Sequence, residues 1–228
     1  MLSVIIPSLN AGASLPRLLS SLAGQVDDIV VSDGGSGDDS LAVSIKAGAR
    51  LAVGGAGRGH QLARGARWSL AHAPDDWMLF LHADCALPDR WREAIADHIK
   101  TRPDTAAYFR FSLDDKGFWP RLMERIVAVR CSLLALPYGD QGLLISRALY
   151  GEIGGYEKWD LFEDVAIVRA LGRKRLARLN LPLKTGAGKY RAPKNKGGGY
   201  VRRPLKNMGR LIVFLMTGNP KRAGRGYQ

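Results

Sequence analysis

The chain has 228 residues and a net charge of +13, from 34 lysines and arginines against 21 acids. The length suits one α/β domain with an added piece, and 46% hydrophobic residues exclude a disordered chain. No apolar run reaches the roughly 18 residues of a membrane span, and two cysteines, Cys85 and Cys131, make neither a disulfide framework nor a CxxC zinc site, so a reduced, cytoplasmic setting is expected.

MLSVIIPSLN has no basic leader region, and LSVIIP (2–7) reads as a buried strand stopped by Pro7. Ser14 is expected to cap a helix carrying Leu15, Leu18, Leu19 and Leu22 at helical spacing. DDIVVS (27–32) reads as a second strand, followed by the loop GGSGDDS and a short helix to Lys46. RLAVGG (50–55) reads as a third strand, residues 57–73 as a glycine-punctuated helix, and DWMLFLHAD (76–84) as a fourth strand. A helix is then expected from Pro88 to Lys100. This alternation predicts parallel strands with right-handed crossovers. Ligands of such sheets bind beyond the carboxyl ends of the strands, where Ser8, Asn10, Asp33, His82 and Asp84 stand.

The second half is less regular. Residues 106–113 read as a strand, 118–136 as an amphipathic helix, and 162–174 as a helix with Glu163 and Asp164 in its first turn, where the macrodipole favours acids. Residues 186–204 read as a basic loop and 205–218 as a last helix. The charge is lopsided: residues 165–228 hold 17 lysines and arginines and no acid.

The ordered set VIIPSLN, VVSDGGSGDD, LHADCALP and GGYEKWDLFEDVAIVRAL resembles the glycosyltransferase family 2 enzymes of the GT-A fold. GRGHQLARGA and YGDQGLLISR look like a small bacterial subgroup of them. The resemblance implies an α/β, Rossmann-like, mostly parallel sheet flanked by helices. A nucleotide-binding part would span 1–100, an acceptor part 101–175, and a basic C-terminal extension 176–228, packed on or closing over the site. It implies metal-dependent transfer of a sugar from a nucleoside-diphosphate sugar to an acceptor hydroxyl, with Mg2+ or Mn2+ as cofactor and with inversion.

The same resemblance implies the residue roles. Asp33 would accept hydrogen bonds from the uracil or ribose of the donor, as an acceptor-only carboxylate can; the other reading is an Asp opening a glycine turn. Pro7, Ser8 and Asn10 would form the first nucleotide loop, with Arg58 and His60 at a helix start suited to phosphate. Asp84 keeps the second acid of the DXD motif and would hold the metal. His82 replaces the first acid, either as a second ligand, tilting preference toward Mn2+, or as a strand-end histidine bonded to its neighbours. Asp164 of the ED pair would be the general base, with Asp140 in reserve.

Two rivals fare worse. A nucleotidyltransferase needs a basic glycine-rich loop after the first strand, and PSLNAGASLP holds no cation. A nucleic-acid-binding protein using the tail leaves the acidic rim unexplained, so no nucleic-acid partner is expected. The basic tail instead suggests an anionic or lipid-linked acceptor, or the anionic inner face of a membrane met through LIVFLM (211–216). The plainer alternative is that Leu211, Phe214 and Leu215 pack that helix onto the domain.

Overall fold

The structure is a computed structural model describing residues 1–189, 199–200 and 202–223. Its first half alternates β1 (Leu2–Ser8), α1 (Leu15–Leu22), β2 (Asp28–Asp33), α2 (Ser40–Lys46), β3 (Arg50–Leu51), α3 (Arg58–Trp68) and β4 (Trp77–Phe80). The second half runs β5 (Cys85–Ala86), α4 (Trp91–Thr101), β6 (Ala106–Leu113), α5 (Phe118–Leu134), β7 (Leu143–Ser146), α6 (Arg147–Glu152) and α7 (Glu163–Leu171). It closes with β8 (Leu176–Thr185), α8 (Arg202–Thr217) and α9 (Pro220–Ala223). The sheet order is β3-β2-β1-β4-β7-β6-β8-β5.

The first four strands are mutually parallel, as the alternation requires, and β6 and β8 are parallel to each other. β7 runs antiparallel to both β4 and β6, and β5 antiparallel to β8. β1, β2 and β4 read as near-continuous apolar runs because both of their faces are covered. On one face Ile5, Met78, Phe80 and Ile145 pack under α3, α6, α7 and α8; on the other Val4, Ile6 and Leu79 meet α1 and α4. Gly65 lets α3 lie directly on β1, since a side chain there would strike Ile5.

Several expectations need correction. Ser14 makes no side-chain cap; it is itself helical in φ and ψ, and its hydroxyl donates back to the Ala11 carbonyl at 3.2 Å. The third strand is only two residues long; past it the Ala52 N–H still donates to the Val31 carbonyl and the Gly54 N–H to the Asp33 carbonyl, both at 3.0 Å, and Arg64 adds side-chain bonds to the Ala52 and Gly55 carbonyls. The fourth strand ends at Phe80, so His82 and Asp84 lie in a turn before β5. Helix α3 stops at Trp68 and α4 begins only at Trp91, after Arg90 in the left-handed region (φ 59). β8 has no counterpart in the sequence reading and falls where the basic extension was expected to begin. It pairs with β6 along its length, with one irregularity at Phe109/Arg110. The expected basic loop lies mostly outside the described residues. Among them no helix is long and apolar enough to cross a membrane.

Candidate active site at the carboxyl rim of the sheet

The loops after β1 and β2 are tied together. Asn10, in the left-handed region at φ 51, donates its N–H to Ser36 Oγ at 2.8 Å, and its Oδ1 accepts from Gly37 N–H at 2.9 Å. Gly34 N–H donates to the Ser8 carbonyl at 2.8 Å, and Gly12 N–H to Asp38 Oδ2 at 2.9 Å. The Ser40 hydroxyl and the Gly12 N–H hold the Asp38 carboxyl below its ordinary value. Of the three residues expected to form the first nucleotide loop, only Asn10 is exposed; Pro7 is half-buried and Ser8 buried.

Asp33 is buried at the end of β2. Its Oδ1 accepts from the N–H groups of Gly35 and Ser36, both at 2.8 Å, and its Oδ2 from the Ser36 hydroxyl at 2.6 Å. The carboxylate thus shapes its own glycine-rich loop, which is the turn-forming alternative at this position.

Two residues that sequence reasoning missed fasten this rim from below. Gln61 Nε2 donates to the carbonyls of Ser8 (2.6 Å) and Ser32 (3.0 Å), joining the ends of β1 and β2. Arg64 donates to the carbonyls of Asp33 (2.7 Å), Ala52 (3.0 Å) and Gly55 (3.4 Å), joining the end of β2 to the chain after β3. Burial draws the Arg64 guanidinium below its ordinary value, against the opposing pull of Asp33. The available signal was two long polar residues one turn apart on the sheet-facing side of α3, otherwise lined by Gly and Ala.

The start of α3 is occupied by protein. Gly59 N–H donates to the Trp159 carbonyl at 2.9 Å, and Gly59 is packed so tightly against the backbone of Glu157 and Trp159 that no side chain fits. Arg58 turns to Glu163, its Nε 3.6 Å from Oε1, while His60 is exposed. Glu163 is buried, and burial, reinforced by the neighbouring Asp164 charge and opposed by Arg58, pushes its carboxyl up to about 8.

The remaining candidates converge around the turn Gly139–Gln141. Gly139 N–H donates to Asp164 Oδ2 at 2.9 Å. The His82 ring lies against the same glycine, so a Cβ at position 139 would stand 2.7 Å from Nε2. Thr185, ending β8, donates its hydroxyl to the Asp140 carbonyl at 3.1 Å, and a Cβ on the next residue, Gly186, would stand 3.1 Å from Asp84 Oδ2. Buried Gln141 pins the turn by donating to the Phe109 carbonyl at 3.1 Å. One rim therefore gathers His82 and Asp84 from the turn after β4, Asp140 from the turn before β7 and Asp164 from the first turn of α7, beside the loops carrying Asn10 and Asp33.

Phe162, immediately before the acid pair, sits in the left-handed region at φ 66, an unfavourable place for a bulky residue. It is held by Phe214 of α8, stacked at 4.7 Å with rings 7° apart. Leu211 and Phe214 are thus buried against the domain, as the plainer reading of the tail held, whereas Leu215 is 37% exposed.

Solved structures share this fold. Glucosyl-3-phosphoglycerate synthase from Mycobacterium tuberculosis, in complex with Mn2+, uridine-diphosphate and glucosyl-3-phosphoglycerate, aligns with a TM-score of 0.59 at 19% identity. The alignment covers 91% of this chain and 78% of that one. The same enzyme with Mn2+, uridine-diphosphate-glucose and phosphoglyceric acid gives 0.61 at 19% identity, covering 98% and 80%. At sequence level, residues 3–169 match Glycosyl transferase family 2. The chain belongs to that family of glycosyltransferases.

Proposed function

We propose that the protein transfers a sugar from a nucleoside-diphosphate sugar to an acceptor hydroxyl, with Mg2+ or Mn2+ and with inversion at the anomeric carbon. The observation that carries this reading is the meeting of Asp164 with the His82–Asp84 turn across Gly139. A base and a diphosphate-side carboxylate are needed on one rim, and these two motifs lie far apart in the chain. The structural relatives that hold Mn2+ with uridine-diphosphate-glucose make uridine nucleotides the first donors to test.

The donor set fits a hard divalent cation. Asp84 is exposed at a strand-end turn, beside Gly186, where the missing side chain leaves room at the carboxylate. Among the described residues no three His, Cys, Asp or Glu are grouped to hold a metal by themselves, so a cation here would be held by one or two carboxylates and completed by phosphates. Asp84 would hold it; His82, whose Nε2 faces Gly139, we read as packing the base loop. When bound, the cation neutralises the charge growing on the leaving diphosphate.

Asp164 then removes the proton of the acceptor hydroxyl as its oxygen attacks the anomeric carbon opposite the leaving group. Gly139 N–H orients that carboxylate. Buried Glu163, with its raised carboxyl, stays largely protonated near neutrality and keeps a second negative charge away from the acceptor. Asn10, exposed where the first two loops join, is the side chain best placed to meet the nucleotide, with Asp33 acting through the loop that it shapes. The acid-free stretch 165–228 suits a phosphate-bearing or lipid-linked acceptor met in the cytoplasm. Asp164→Asn tests the mechanism: turnover should collapse while the thermal shift given by the donor nucleotide persists. Near-normal turnover would return the role to Asp140.

A further inference from the structure

Helix α5 has two apolar faces, and among the described residues only one is covered. Pro120, Met123, Val127 and Cys131 are buried, packing beside Tyr108, Phe111 and Leu113 of β6. At 100° per residue, Phe118, Trp119, Leu122, Ile126, Val129 and Leu133 fall within a second arc about 100° wide. Phe118 (71%), Ile126 (50%), Val129 (55%) and Leu133 (68%) are all well exposed. A contiguous apolar strip of this length is uncommon on a soluble surface and marks a docking face.

The charges beside the strip select its partner. The helix exposes Arg121 and Arg125, with Arg130 turned over the Tyr138 ring, against one acid, Glu124. That acid is committed: its Oε1 accepts from the Ser112 hydroxyl at 3.1 Å and the Leu113 N–H at 2.9 Å, and it pairs with Arg121. Arg173 adds a cation at the other end, donating to the carbonyls of Ser132 and Leu133. Asp114 and Asp115, just before the helix, meet Arg17 and Tyr200. A second copy of the chain would set like charges together, with +13 on each molecule. A surface that is apolar below and anionic above satisfies both features, and the Phe118–Trp119 ring pair, 5.4 Å apart, suits the headgroup level.

We propose that this face of α5 docks on an anionic lipid bilayer, with the helix lying in the headgroup plane. The contact is distinct from the basic tail and requires no catalytic activity. The test is co-sedimentation of the full chain with phosphatidylcholine vesicles, with and without phosphatidylglycerol. Wild type should pellet on the phosphatidylglycerol vesicles at low salt and be released as salt rises. Ile126→Glu/Val129→Glu, at exposed positions, should lower binding by about tenfold or more without changing Tm. Absence of wild-type pelleting would overturn the proposal, as would a double variant that pellets like wild type. A wild-type dimer in sedimentation velocity that the double variant dissolves would identify a second copy as the occupant and equally overturn it.

Discussion

Asp164 and Glu163 are adjacent in the chain yet differently placed. Asp164 is fixed by Gly139 N–H at the rim, whereas Glu163 is buried beneath it beside Arg58. Asp164→Asn keeps the shape and removes the proposed base, so kcat should fall by about 10² to 10⁴; single-turnover kinetics at saturating donor would measure it. For Glu163, the folded-state value of about 8 stands above its ordinary 4.5. Folding therefore favours the protonated form. That contribution to stability is complete below about pH 4.5, declines as pH rises, and is gone above about pH 8. Glu163→Gln, neutral throughout, should flatten the fall of Tm between pH 5 and 8. A variant whose Tm follows wild type across that window would mean that Glu163 is ionised and paired with Arg58. These roles were only partly legible in the sequence. The order of motifs singled out Asp84 and Asp164 as candidates, but the burial of Asp33 and Ser8 and the turn of Arg58 toward Glu163 depend on contacts from residues dozens of positions away.

Helix α3 is where element-level reasoning gained most from the structure. Its glycines were visible in the sequence, and Gly59 and Gly65 prove to be close-approach positions, against the 157–159 backbone and Ile5. The sequence suggested a helix start open to phosphate, whereas the start is filled and the work of the helix lies on its buried side, through Gln61 and Arg64. Gln61→Leu should cost about 1–3 kcal/mol, since it removes the side-chain donor from the Ser32 carbonyl and leaves the Ser8 carbonyl with only the Gly34 N–H. A urea midpoint measures this. A smaller thermal shift from the donor nucleotide should accompany it, because the two loops above lose their tie. β8 escaped sequence reading because LARLNLPLKT alternates weakly and carries a proline. Its pairing with β6 is long-range and leaves little local trace. For α8, LIVFLM suggested an apolar surface, yet Leu211 and Phe214 serve the domain. Phe214→Ala should cost about 3–5 kcal/mol and release Phe162 from its strained backbone.

Across the whole molecule, the fold is a rim-bearing sheet whose carboxyl edge runs from the Asn10–Asp33 loops to the Asp84–Gly139–Asp164 cluster. The central claim is that this edge binds a nucleoside diphosphate through a cation held by Asp84. The direct measurement is thermal unfolding of wild type and Asp84→Ala with a panel of nucleoside diphosphates, each with and without Mn2+. Ligand at about 100 times its Kd stabilises by about 2.7 kcal/mol, which is about 5–10 °C for a chain of this size. Wild type should show such a shift with one diphosphate in Mn2+ and little without it, and Asp84→Ala, folded normally, should show none. No shift with any diphosphate, or an equal shift in Asp84→Ala, would contradict the account.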